Sequence, residues 1–194
     1  MKTKVNNIKL NQLNFKVMKN IKRSLLIGMA LLIAGVASAQ NFRYVGADAC
    51  KACHNKPANG AQYDHWVSDP HSQALKMLSS EKAIEYGKQN GIVNPATDDK
   101  CLKCHSTYHV APANARDRAF KADEGVSCEG CHGPGSAYKS PAFMKNRNLA
   151  VRQGLILQTE ESCVRCHNSE NPFHKEFDYK TAFEKTTHPD PTRK

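Results

Sequence analysis

The chain has no cysteine to spare, no apolar run long enough to cross a bilayer, and no stretch of alternating polar and apolar residues of strand length. Each absence removes a class of protein. Without a free thiol there is no cysteine nucleophile, and without about 18 consecutive apolar residues there is no transmembrane helix. Without period-two alternation there is no sandwich or barrel. A phosphate-cradling glycine loop and a Ser-His-Asp-like constellation are also missing, so the common nucleotidase and hydrolase signatures do not apply. Acidic residues are absent before Gln40, where seven of the 28 Lys+Arg lie and none of the 18 Asp+Glu. The segment from Gln40 onward therefore carries a formal +3 against +10 for the whole chain. The sequence pI of about 9.2 is mostly an effect of this leader. It makes no case for a nucleic-acid partner, which needs a basic face on the folded body.

All eight cysteines sit in four copies of Cys-x-x-Cys-His: Cys50-Lys51-Ala52-Cys53-His54, Cys101-Leu102-Lys103-Cys104-His105, Cys128-Glu129-Gly130-Cys131-His132 and Cys163-Val164-Arg165-Cys166-His167. This is the attachment signature of c-type haem. Two thiols add to the two vinyl groups of one haem, and the following His supplies a neutral imidazole nitrogen to the iron. Zinc sites, dithiol redox centres and disulfide frameworks also use Cys-x-x-Cys, but none requires His directly after it. With 9 His in 194 residues, four chance occurrences have odds of about one in a hundred thousand. The reading is four covalently bound haem c groups with His54, His105, His132 and His167 as proximal ligands. Their propionates would make the assembled protein more acidic than its sequence.

Lys19, Lys22 and Arg23, the apolar run Leu25 to Val36 and Ala37-Ser38-Ala39 form a cleavable signal peptide, with Met18 an alternative start. Residues 1–39 are expected to be the leader and 40–194 a single tetrahaem domain, periplasmic or extracellular, with no transmembrane segment after cleavage. About 39 residues then serve each haem, too few to bury four porphyrins and also build an ordinary apolar core. The expected fold class is mainly α with much irregular chain and closely packed haems as the core. Periodicity predicts one helix from Ser72 to about Gln89 and another from Asn148 to Leu157. Thr159 and Asp178 read as N-caps, and the Gly and Pro clusters at 133–135, 140–141 and 188–191 as turns.

Five His lie outside the motifs: His65, His71, His109, His174 and His188. A sixth ligand decides whether an iron passes electrons or binds a small molecule. Trp66-Val67-Ser68-Asp69-Pro70-His71-Ser72-Gln73-Ala74 and Gly125-Val126-Ser127-Cys128-Glu129-Gly130-Cys131-His132-Gly133-Pro134-Gly135 resemble segments of the tetrahaem cytochrome c family typified by the electron acceptor of hydroxylamine oxidoreductase. Phe177-Asp178 followed by His188 has that family's spacing as well. The resemblance implies that His71 and His188 are distal ligands, each serving a haem other than that of its nearest motif. It also implies a five-coordinate iron on the second motif, at His105. The family's remaining distal His follows the Gly-Pro-Gly turn, where this chain has Tyr138, Lys139, Met144 and Lys145. Met144, Tyr138, His109, His174 or an open position are the alternatives for that iron.

The expected function is electron transport between periplasmic or membrane redox proteins, without catalytic residues of its own. The alternative is a haem enzyme acting on NO, hydroxylamine or nitrite at a five-coordinate iron, with His109 or Lys103 donating protons. A structural role, with a spare His such as His174 ligating a haem of a second copy, is the third class.

Overall fold

A computed structural model describes residues 42–191. The leader and its cleavage site, and the last three residues of the tail, lie outside the described residues. Within them the chain is helical and irregular, with no strand; a single isolated bridge joins Tyr44 and Arg116. The helices are α1 (Asp48–His54), α2 (Gln62–Ser68), α3 (Ala74–Met77), α4 (Glu81–Gln89), α5 (Asp99–His105), α6 (Thr107–Val110), α7 (Cys128–His132), α8 (Pro141–Met144), α9 (Arg147–Arg152), α10 (Glu160–Val164) and α11 (Tyr179–Thr186). None is long and apolar enough to cross a membrane.

Helices this short are not stable by propensity alone. Local signals place their ends. Ser80 caps α4, Asp98 caps α5, Asn146 caps α9 and Asp178 caps α11, each side chain accepting a backbone N–H two or three residues on. Thr159 caps α10 in a reciprocal pair with Ser162. The expected long helix from Ser72 is broken. Pro70–Gln73 is a 3-10 turn, α3 ends at Met77, and Ser80 restarts the chain as an N-cap. The hydroxyl competes for backbone N–H groups, which outweighs the apolar stripe there. The second expected helix also stops early, at Arg152, because Gly154 adopts φ +97°. Ser140-Pro141 opens α8 rather than a plain turn, with Pro at the first helical position.

Apolar burial is sparse. Among the described residues only Val45, Ala47, Leu78, Ile92, Ala111, Phe120, Tyr138 and Ala150 are buried hydrophobics. Eight such residues cannot make the core of a 150-residue body. Ile156, Leu157 and Val164 are 37–42% exposed beside the third and fourth motifs, which is apolar surface of the kind a porphyrin face covers.

Candidate functional site

Every motif begins on a helix. In a helix, residues i, i+3 and i+4 share a face, so both thiols and the imidazole of one motif project to one side. An acid stands in the first turn of each of these helices: Asp48, Asp99, Glu129 and the Glu160-Glu161 pair. Those carboxylates complement the positive end of the helix dipole. The fourth motif overruns α10, with Cys166 and His167 held by N–H bonds to Cys163 O of 3.1 and 3.0 Å. Among the described residues no group of His, Cys, Asp and Glu converges as a tetrahedral metal site would require.

The motifs meet in pairs. The Cys50 and Cys128 thiols are within hydrogen-bonding reach, as are those of Cys104 and Cys166. Burial raises the Cys166 thiol to about 11, with Cys104 adding to the shift. The third motif neighbours the fourth: Arg165 donates to Gly130 O at 3.2 Å, and Cys163 acts on Cys131. The motifs thus run first, third, fourth, second.

Glu129, a variable residue of the third motif, fastens the first join. It is 2% exposed, and its carboxylate accepts the N–H of Val45 at 2.9 Å, Gly46 at 2.8 Å and Gly135 at 2.6 Å. Burial pushes this carboxyl upward in pKa while the three N–H groups pull it down. Sequence reasoning missed this role, although an acid between the two cysteines of a motif was visible. Glu124 is a second carboxylate on the same segment and accepts from Ala47 N at 3.0 Å. Burial is the main cause of its raised pKa. A carboxyl whose folded pKa exceeds its unfolded value contributes stability at low pH that is lost as pH climbs from about 4.5 through the folded value. Glu124→Gln is therefore expected to gain thermal stability over the parent as pH is raised from about 4 to 7. Melting curves of both holoproteins across that range check it.

The distal candidates occupy defined places. His71, which follows the first motif, lies against His167 of the fourth, with ring centroids 5.9 Å apart. His188, which follows the fourth motif, lies 6.0 Å from His132 of the third. An imidazole nitrogen stands about 2 Å from a metal it ligates and about 1 Å from its ring centre. Rings on opposite sides of one iron are then about 6 Å apart. Burial holds the His132, His167 and His188 imidazoles below the usual range, and His188 and His71 push His132 and His167 further down. These rings are kept neutral, as ligation requires. The Nδ1 of His188 is buried without a hydrogen-bond partner, a lone polar atom that a metal would satisfy.

Other ring nitrogens are oriented by the protein. His54 Nδ1 meets Gln62 Oε1 at 2.9 Å, His105 Nδ1 meets Ala74 O at 2.7 Å, and His71 Nδ1 meets Asp69 Oδ1 at 2.7 Å. Such contacts fix the tautomer and leave Nε2 for a metal. Phe177 stacks on His167 at 4.7 Å. The backbone of Gly125-Val126 sits on the His71 turn: Val126 N donates to His71 O at 2.9 Å, and a Cβ on Gly125 would lie 2.7 Å from that oxygen. Trp66 donates Nε1–H to Val126 O at 2.9 Å, so its indole fastens α2 to the third-motif loop.

The remaining candidates have other neighbours. His109 lies 3.2 Å from Asp99 on the second motif's helix, and His174 is exposed near His167. Lys103 pairs with Glu170 at 2.5 Å. Met144 closes α8 half-buried. Tyr138 is buried near Cys50, but its hydroxyl donates to Gly133 O at 2.9 Å. Paired rings, oriented Nδ1 atoms and apolar surface beside the thiols fit a covalently held haem c.

Comparison with known proteins agrees with this chemistry. The family described as cytochrome c554 and c-prime matches residues 49–133, which takes in the first three motifs. Cytochrome c-554 of Nitrosomonas europaea is 29% identical over 160 residues, covering 73% of this chain and 66% of that protein. No solved structure matches the chain.

Proposed function

We propose that this chain is an electron-transfer c-type cytochrome akin to the cytochrome c554 and c-prime family that matches residues 49–133, and that it is an exported, periplasmic carrier with four covalently attached haems. When bound, each haem supplies one exchangeable electron through its iron. The protein's part is to hold, orient and insulate. Cys50 and Cys53, Cys101 and Cys104, Cys128 and Cys131, and Cys163 and Cys166 are the attachment pairs, and the His after each pair is the proximal ligand. His71 serves the fourth motif together with His167, and His188 serves the third together with His132. The observation that carries the reading is this pairing of rings at 5.9 and 6.0 Å, joined to the unbroken succession of motif contacts. With attachment points ordered first, third, fourth, second, exchange with donor and acceptor proteins is expected at the first and second motifs.

A mass measurement and a coulometric titration of the purified holoprotein test it. Four haems per chain and four electrons taken up and returned are expected. The titration should be broad, because interacting centres titrate as a set. Fewer haems, or irons that do not exchange with a soluble mediator, would refute the proposal.

A further inference from the structure

Three of the candidate ligand rings turn Nδ1 toward a neutral oxygen. His54 faces the Gln62 amide at 2.9 Å, and His105 and His132 face the carbonyls of Ala74 and Ile156 at 2.7 and 3.4 Å. His71 differs from them, because its Nδ1 meets a carboxylate, Asp69 Oδ1 at 2.7 Å. The difference is one of charge, and an anionic acceptor makes the stronger hydrogen bond.

Local chain chemistry fixes that carboxylate. Asp69 ends α2 in an extended conformation, φ −83° and ψ 141°, as the residue before a proline prefers. Its Oδ1 also accepts the backbone N–H of His71 at 2.8 Å, which caps the Pro70–Gln73 turn. Its carbonyl accepts the backbone N–H and the hydroxyl of Ser72 at 3.1 and 2.9 Å. The Asp69 side chain is only 20% exposed, and the turn it caps is held as well by Val126 N on His71 O. One oxygen therefore sets both the backbone and the ring of His71.

We infer that Asp69 is the positioning residue of the His71 imidazole and lowers the reduction potential of the fourth motif's haem. Its role rests on the proposed pairing of His71 with His167 at one iron. A carboxylate on Nδ1–H makes Nε2 the stronger donor. A stronger donor stabilises the oxidised iron more than the reduced one, and the potential falls. In the order first, third, fourth, second this haem is interior, so its potential sets a step that electrons crossing the chain must take. The same carboxylate acts electrostatically on Cys131 of the third motif. Its field thus reaches two motifs, whereas its ring hydrogen bond reaches one ligand.

Ferric EPR followed through a redox titration of the holoprotein gives each low-spin signal its own apparent midpoint. His71→Ala should remove one low-spin signal and so identify it. Asp69→Asn keeps an acceptor oxygen and an equally good cap but no charge. In that variant the identified signal should change its g values and titrate at higher potential. The expected shift is about tenfold in its oxidised-to-reduced ratio, about 59 mV for one electron. Asp69→Ser, also a cap former, serves where the Asn variant does not fold. Equal shifts in two signals would mean that the field of the charge acts alone, and would overturn the role of the hydrogen bond. An identified signal that neither variant moves overturns the proposal and leaves the pairing of His71 with His167 intact. If His71→Ala removes no low-spin signal, that pairing fails, and the proposal with it.

Discussion

Glu129→Ala is expected to lower the unfolding free energy of the holoprotein by about 3 kcal/mol or more. The carboxylate is the shared acceptor of three buried N–H groups, from Val45, Gly46 and Gly135. Alanine leaves all three without a partner in a place water does not reach. A buried donor deprived of its acceptor costs about 1–3 kcal/mol. Relief from burying the carboxylate itself offsets part of that sum. Glu129→Gln keeps an acceptor oxygen and should lose roughly half as much. Denaturant midpoints of the two variants and the parent measure both effects. Since Val45 and Gly46 lead into α1 and Gly135 follows α7, the alanine variant should also loosen the join between Cys50 and Cys128. A reduced haem content, beyond what the glutamine variant shows, would report that loosening. An alanine variant as stable as the parent would mean that water or a backbone shift satisfies the three donors.

That carboxylate also marks where sequence reading stops. The four motifs were legible because their chemistry is local: two thiols and an imidazole must fall on one face of a single turn. The caps at Thr159 and Asp178 were legible for the same reason, since each side chain bonds a backbone N–H three residues on. Glu129 was not, because its partners Val45 and Gly46 are more than eighty residues away. The break between α3 and α4 was missed where a hydroxyl won over an apolar stripe. His71 and His188 were distal candidates by resemblance alone, and the rings they lie against, His167 and His132, are a fact of tertiary structure. His65 and His174 show the converse. Their residue type suits a ligand, and the fold leaves both exposed.

His188→Ala is expected to change the spectrum and the chain's integrity together, and imidazole should separate the two. The spectral change follows from the 6.0 Å pairing with His132. Losing one of two axial nitrogens turns a low-spin iron high-spin, so one low-spin ferric EPR signal should disappear. The structural change follows from the marginal stability of the segment beyond Phe177, whose ring stacks on His167. Helix α11 has eight residues, none of them buried, and a helix of that length is marginal without packing. Beyond it, Gln62 Nε2 to Pro189 O and the seat of His188 beside His132 tie the end to the body. With the imidazole gone, residues 179–191 should open and be cut by limited proteolysis far faster than in the parent. Free imidazole added to the variant can refill the axial position and restore the low-spin signal, but it has no covalent link to α11. Proteolysis should therefore stay fast while the spectrum recovers. If imidazole slows proteolysis as well, the filled iron alone stabilises the third motif's surroundings. If the variant keeps its low-spin signal without imidazole, His188 is not the ligand facing His132.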